Sequence, residues 1–199
     1  MDIYKLINEK FRIQRNDVSP TVLLSRKRGR QVIRDNIAEL IGEAGFKIGA
    51  EIGVNTGRFS HILLKSMVDG KLILVDPWGP YDNCTIDMAE SHYQATLNRL
   101  KDYNIITKRM PSMQAVEEVE DKSLDFVYID GLHDFNNAAM DIIKWVPKVK
   151  SGGIVSGHDY YHGPNFGVIQ AVDSYTKCNH IDQWFITREG VPSFFWVKK

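Results

Sequence analysis

Two carboxylates and two imidazoles crowd into the second half of this 199-residue chain: Asp130 and His133 in Tyr128-Ile129-Asp130-Gly131-Leu132-His133, then the pair His158-Asp159. Asp130 and Asp159 each follow an apolar run that reads as a strand, so both face one crevice if the strands are neighbours. Two carboxylates converging there could hold Mg²⁺ or Ca²⁺, which favour hard oxygen ligands. An imidazole with a pKa of about 6.5 suits proton removal around neutral pH, which makes both His133 and His158 candidate general bases. A second group lies earlier, in Glu51-Ile52-Gly53-Val54-Asn55-Thr56-Gly57 and in Asp76, which ends Lys71-Leu72-Ile73-Leu74-Val75. Gly53 and Gly57 let backbone pack closely against a ligand, while Glu51 and Asp76 offer acceptors for amino or ribose hydroxyl groups. That combination suits a nucleoside-containing cofactor. A dinucleotide fingerprint would read GxGxxG, with pyrophosphate at the helix N-terminus. Here the spacing is GxxxG, which argues against NAD, although Asp76 would suit either ribose.

The elements that must position these residues follow from the hydrophobic pattern. From Lys47 onward, apolar strands are expected at 47–53, 71–76, 104–109, 124–130 and 152–158. Helices are expected at 57–68, 88–102, 112–119, 134–146 and 165–177. Strands separated by helical segments imply right-handed crossovers and a parallel sheet, with ligands at the carboxyl ends of the strands. The last two strand-like runs, 181–189 and 191–199, are separated only by Gly190, so they form an antiparallel hairpin at the sheet edge. Before Lys47, Leu23, Leu24, Val32, Ile33, Ile37, Leu40 and Ile41 recur at helical spacing, which predicts helices over 1–45 joined by a turn near Ser19-Pro20. The fold class is therefore α/β: a Rossmann-like parallel sheet with helices on both faces and a C-terminal antiparallel hairpin, seven strands in all. Two units follow, residues 1–45 as a helical lid or substrate-facing extension and residues 46–199 as the cofactor-binding domain.

Bulk properties narrow the partners. Lys and Arg total 25, as do Asp and Glu, so there is no net charge to draw the chain to nucleic acid or an anionic membrane. Cys84 and Cys178 are the two cysteines and form no CxxC pattern, which fits reduced thiols. No run approaches the roughly 20 apolar residues of a membrane span, and a cytoplasmic location is expected. The basic run Arg26-Lys27-Arg28-Gly29-Arg30, with Arg34 beyond, reads as a solvated helix end, or alternatively as a contact for an acidic substrate. Trp78, Tyr81, Tyr160 and Tyr161 fall in loops at the ligand end, where they flank an acceptor or cover the crevice.

In their order and spacing, Glu51 to Gly57, Val75-Asp76-Pro77-Trp78, Phe126 to His133, Gly152-Gly153 with Gly157-His158-Asp159-Tyr160, and Gly167 to Asp173 resemble the class I S-adenosylmethionine-dependent methyltransferases. The likeness is to the small-molecule O-methyltransferase-like branch that includes macrocin-type sugar methyltransferases, and it covers about residues 45–199. The resemblance implies that Glu51, Gly53, Asn55 and Gly57 lie against the methionine part of S-adenosylmethionine and that Asp76 holds both ribose hydroxyls. It also implies that Ser112 and Met113 border the adenine and that Asp130 lies beside the point of methyl transfer. Many members of the wider superfamily have glycine where this chain has Asn55. Metal-dependent relatives bind a cation with acidic and amide ligands at these strand ends; here Asp130 and Asp159 are the candidate ligands, with Tyr160 where a further ligand would stand.

The implied partner is a small hydroxylated molecule, a sugar or a catechol-like ring, and a homodimer is compatible with the N-terminal helices. Nucleic acid is disfavoured: the fourth strand ends in Ile129-Asp130-Gly131-Leu132 rather than the Asp/Asn-Pro-Pro-Tyr/Phe of base-amino methyltransferases. Neither cysteine falls at a catalytic strand end either. Two alternatives stay open on the same fold, a metal-dependent hydroxylase-like protein with iron at Asp130, His133 and Asp159, and a non-catalytic nucleoside-cofactor-binding protein.

Overall fold

A computed structural model of the protein describes residues 2–13, 20–25, 29–81 and 84–199. Ser19 of the expected turn and Arg26, Lys27 and Arg28 of the basic run lie outside the described residues. Helix α1 (Ile3–Lys10) is capped by Asp2, whose carboxylate accepts the N–H groups of Tyr4 and Lys5. Two short strands follow, β1 (Phe11–Ile13) and β2 (Thr21–Ser25), and then helix α2 (Arg34–Glu43). The helical expectation for 1–45 is thus corrected: it holds over Ile3–Lys10 and Arg34–Glu43, whereas Thr21 to Ser25 pair as a strand. The cause is visible in their burial, since Thr21 and Leu23 are buried while Val22 and Leu24 are partly exposed, a period of two.

The alternating pattern expected from Lys47 onward is present. It runs β3 (Ile48–Ile52), α3 (Arg58–Ser66), β4 (Lys71–Val75), α4 (Ile86–Leu100), β5 (Asn104–Lys108), α5 (Ser112–Ala115), β6 (Leu124–Ile129), α6 (Phe135–Trp145), β7 (Val149–Gly157), α7 (Val168–Cys178), β8 (Trp184–Ile186) and β9 (Phe194–Val197). Among the described residues the sheet has nine strands, in the order β1-β2-β8-β9-β7-β6-β3-β4-β5. Strands β7, β6, β3, β4 and β5 are mutually parallel, and β9 runs antiparallel to both β7 and β8. The C-terminal hairpin therefore forms as predicted, but not at the edge. Strand β2 pairs alongside β8 and β1 alongside β2, which raises the count from seven to nine and covers an edge that would otherwise present unpaired backbone groups.

Alternation along the central strands divides the core. Phe126 and Tyr128 of β6 face a layer with Ile37, Leu40, Phe59 and Leu63, whereas Val127 and Ile129 face one with Ile142, Trp145 and Val172. Helices thus cover both faces, and a buried side chain of this size contributes about 1.5–3 kcal/mol. In register, Ile52 sits beside Val75 on one side and Ile129 on the other. Gly53, Asp76 and Asp130 consequently leave the sheet at the same level on three neighbouring strands. Among the described residues no helix is long and apolar enough to cross a membrane.

Candidate active site at the carboxyl ends of the strands

The first half of the crevice is made of backbone. Gly53 turns off β3 at φ 83°, and a Cβ there would overlap the carbonyl of Asp130. Gly57, at φ 68°, opens α3. Asn55 takes φ 54°, a left-handed conformation that asparagine tolerates better than most residues, which explains why the loop closes without a glycine at that position. The Asp76 carboxylate holds the loop in place: Oδ2 accepts the N–H groups of Val54 and Asn55, both at 2.9 Å, and Oδ1 accepts that of Trp78 at 2.7 Å. Trp78 is buried rather than flanking an acceptor. Its indole donates to the Asn55 carbonyl at 2.8 Å, and its ring lies 4.9 Å from that of Tyr93. The Thr96 hydroxyl donates to the same carbonyl at 3.0 Å. Glu51 is 1% exposed and accepts the Ser60 hydroxyl beneath the loop. Burial pushes its carboxyl up to about 8.

The second half is made of side chains. Strands β6 and β7 are neighbours, so Asp130 and His158-Asp159 converge as expected, and His133 joins them from the loop before α6. His133 Nε2 lies 3.0 Å from Asp159 Oδ2, and His158 Nδ1 lies 3.2 Å from the same oxygen. His158 Nδ1 is also 3.8 Å from Asp130 Oδ1. Asp159 adopts φ 61°, so the backbone accepts strain where it turns this carboxylate to the two imidazoles. Burial alone would raise the Asp159 carboxyl, but hydrogen bonds from His133 and His158 outweigh it and hold it well below its ordinary range. The reciprocal effect raises His133, chiefly through its bond to Asp159. For His158, burial favours the neutral form, yet Asp159 and Asp130 overcome it and the net shift is upward. Asp130 is raised by burial, with the Asp159 charge adding to it against the pull of His158. The two histidines, left unranked by sequence, now differ: the His133 side chain is 43% exposed and that of His158 17%. His133 stacks on Phe166 at 4.7 Å, with Tyr161 edge-on to the same ring.

One atom each of Asp130, His133 and Asp159 lie within 4.8 Å of one another. Two carboxylates and an imidazole can take a divalent cation. The nitrogen donor favours a first-row transition ion such as Mn²⁺ or Fe²⁺ over the Mg²⁺ or Ca²⁺ suggested by the carboxylates alone.

Ser112 and Met113 stand after β5 at the start of α5, both half-buried. The Ser112 hydroxyl donates to Asp141 and accepts the Trp145 indole N–H at 2.7 Å, so it ties α5 to α6. Asp141 was not singled out by sequence; it is buried, and burial raises its carboxyl to about 6 against the Ser112 bond. Tyr160 is drawn away to α7, its hydroxyl donating to Asp173 at 2.8 Å. Arg34 was noted only as the tail of a basic run, yet its guanidinium reaches the crevice, with Nη1 3.7 Å from Asp130 Oδ2. No local signal marks it, because the contact joins residues far apart in the chain.

Comparison with known proteins follows the same outline. A family described as a methyltransferase domain matches residues 50–160, from β3 through the loop beyond β7. The O-methyltransferase TomG from Streptomyces achromogenes, involved in tomaymycin synthesis and solved with SAM, superposes with a TM-score of 0.62 at 12% identity, over 83% of this chain and 80% of that one. An O-methyltransferase from Bacillus cereus, solved with SAH, gives 0.57 at 16% identity over 83% and 80%. At such identities the likeness is one of fold. An uncharacterised protein of Sinorhizobium fredii, y4gI, is 35% identical over 60 residues, which are 29% of this chain and span only 6% of that protein's length. The family match covers more than half of the chain and takes in both the glycine loop and the ionic cluster: the protein belongs to the methyltransferase-domain family and has the class I S-adenosylmethionine-dependent methyltransferase fold.

Proposed function

We propose that this protein transfers the methyl group of S-adenosylmethionine to a hydroxyl oxygen of a small molecule, a sugar or a catechol-like ring, with His133 as the general base. The observation that carries this reading is the half-exposed His133 imidazole held by Asp159 at 3.0 Å, at the strand ends beside Asp130. The glycine loop of Gly53, Asn55 and Gly57 receives the cofactor, with Asp76 beside the ribose and Met113 against the adenine. When bound, S-adenosylmethionine supplies an activated methyl on a positively charged sulfur. The protein must then align an acceptor oxygen, exclude water and remove one proton, and orientation is the largest of these contributions. With Nε2 bonded to Asp159, the other ring nitrogen of His133 is the atom that takes the hydroxyl proton, and the Asp159 carboxylate stabilises the imidazolium formed. Phe166, stacked on the His133 ring, and Tyr161, edge-on to Phe166, make the surroundings aromatic, which suits a sugar face or an aromatic ring. Residues 1–45 serve as the substrate-facing extension of the domain formed by residues 46–199.

The test is S-adenosylhomocysteine release from S-adenosylmethionine across a panel of sugars and catechols. The expected result is turnover with some of them and a loss of about 10²- to 10⁴-fold in kcat for His133→Asn, with cofactor binding kept. Full turnover by His133→Asn would remove the base assignment. The convergence of Asp130, His133 and Asp159 supports a second reading, in which these residues hold a divalent cation that positions the acceptor oxygen and lowers its pKa. A chelator would then lower turnover and Mn²⁺ would restore it, whereas the base mechanism predicts indifference to both.

A further inference from the structure

The bond from His133 Nε2 to Asp159 Oδ2, at 3.0 Å, fixes one atom of the imidazole. The plane of the ring depends on χ2, which for a histidine is a broad torsion without sharp staggered minima. The other ring nitrogen, the one that faces the acceptor, moves with that plane. Phe166 supplies a second constraint: its ring lies 4.7 Å from the imidazole and 10° from parallel with it. Phe166 is in turn held from several sides. Tyr161 packs edge-on against it, with centroids 5.1 Å apart, and the Phe166 N–H donates to the Gly163 carbonyl at 3.2 Å. The next residue, Gly167, donates its N–H to the His133 carbonyl at 2.8 Å, so the segment carrying the aromatic ring is bonded to the backbone of the residue it covers. A Cβ at Gly167 would meet the Phe135 backbone at 2.4 Å, so only glycine lets the two segments approach this closely.

The start of the loop is tied down as well. The Tyr160 N–H donates to the Pro192 carbonyl at 2.9 Å, and its hydroxyl donates to Asp173 at 2.8 Å. Residues 160–167, between β7 and α7, thus form a strap pinned at both ends, with the Phe166 ring laid on the imidazole. Phe166 lies beyond residues 50–160, which match the methyltransferase-domain family. We propose that Phe166 is a positioning residue for His133: it fixes the plane of the imidazole while Asp159 fixes its Nε2, and so aims the other nitrogen at the acceptor hydroxyl. The inference rests on the reading of His133 as the general base and adds what orients it. Aim matters because a displacement of about 1 Å at a reacting group can cost about 100-fold in rate. The stack also serves the charged state: once His133 has taken the proton, the negative face of the Phe166 ring attracts the imidazolium.

The test joins NMR of the histidine ring protons, which needs no acceptor, to a double-mutant cycle in turnover, both on the full chain. The His133 signals, identified by their absence in His133→Asn, come from protons lying over an aromatic face. At alkaline pH, where the imidazole is neutral in both proteins, they should move downfield in Phe166→Leu, which keeps apolar bulk and removes the flat ring. The signals of the other histidines should stay in place and report an intact fold. In turnover, Phe166→Leu should lower kcat about 10- to 100-fold and change the acceptor KM by less than about threefold. Phe166→Tyr, which keeps the ring, should recover most of that loss. In a His133→Asn background, Phe166→Leu should cost less than about twofold, because the group it orients is gone. Unmoved His133 protons would overturn the stack. Equal losses in both backgrounds, or a loss confined to KM, would overturn the positioning role and make Phe166 a packing or acceptor contact. Full turnover by His133→Asn would remove the base assignment and the positioning role with it, even where the ring protons respond.

Discussion

Asp76 and Asp159 stand at comparable places, just past the ends of two parallel strands, yet they are held by different kinds of donor. Three backbone N–H groups converge on Asp76, and none of them can lose its proton in the working range of pH. Asp159 is held by two imidazoles, and its carboxylate favours the protonated form of each. The contacts that fix the glycine-loop half through Asp76 are therefore set by backbone conformation, and their donors do not change with pH. The acceptor half is an ionic cluster whose charge, and so whose chemistry, depends on it. Methyl transfer needs both properties, because the donor must be held rigidly while the acceptor must lose a proton.

If that contrast holds, each half should fail under a different kind of change. The largest effect is expected at Gly53. A Cβ there meets the Asp130 backbone carbonyl at a positive φ, so Gly53→Ala should cost about 3 kcal/mol or more and abolish S-adenosylhomocysteine binding, read by urea unfolding and calorimetry. Next comes Glu51 beneath the loop. Its folded pKa of about 8 lies above its unfolded value, so the folded state binds more protons between pH ~4.5 and ~8. Stability should accordingly fall as pH rises through that window, by at most about 1.4 kcal/mol per pH unit, and level off above it. In Glu51→Gln the decline should become shallower in a series of melts across the same range, the buried Asp141 supplying part of what remains.

The smallest expected effect is the most specific to the acceptor half. His133 is raised chiefly by its bond to Asp159, and a base must be unprotonated to act, so turnover should rise with pH through a midpoint above about 6.5. Asp159→Asn removes the carboxylate charge that raises it, and the midpoint should move down. A midpoint that stays put in the pH–rate profile would separate His133 from the proton transfer.

What could be read from sequence tracks how local the cause is. The glycine loop, Asp76 and the alternation of strands and helices from Lys47 onward are written in short-range periodicity and turn residues, and all of them stand where expected. The meeting of Asp130 with His158-Asp159 was legible because neighbouring parallel strands bring their carboxyl ends together. Strands β1 and β2 were missed because three and five residues cannot display a period against a helical background. The far partner of β2, β8, lies more than 150 residues away. Arg34 was missed for the same reason, since its backbone N–H is held by Glu189 and its side chain reaches Asp130. The structural roles of Trp78 and Ser112 depend on Asn55, Tyr93, Asp141 and Trp145, partners that no spacing rule selects.

Calorimetric titration of the purified chain with S-adenosylhomocysteine and with NAD, alongside Asp76→Ala, tests the central claim most directly. The account predicts saturable binding of S-adenosylhomocysteine, its loss in Asp76→Ala, and no binding of NAD. Binding of NAD with no response to S-adenosylhomocysteine would contradict it.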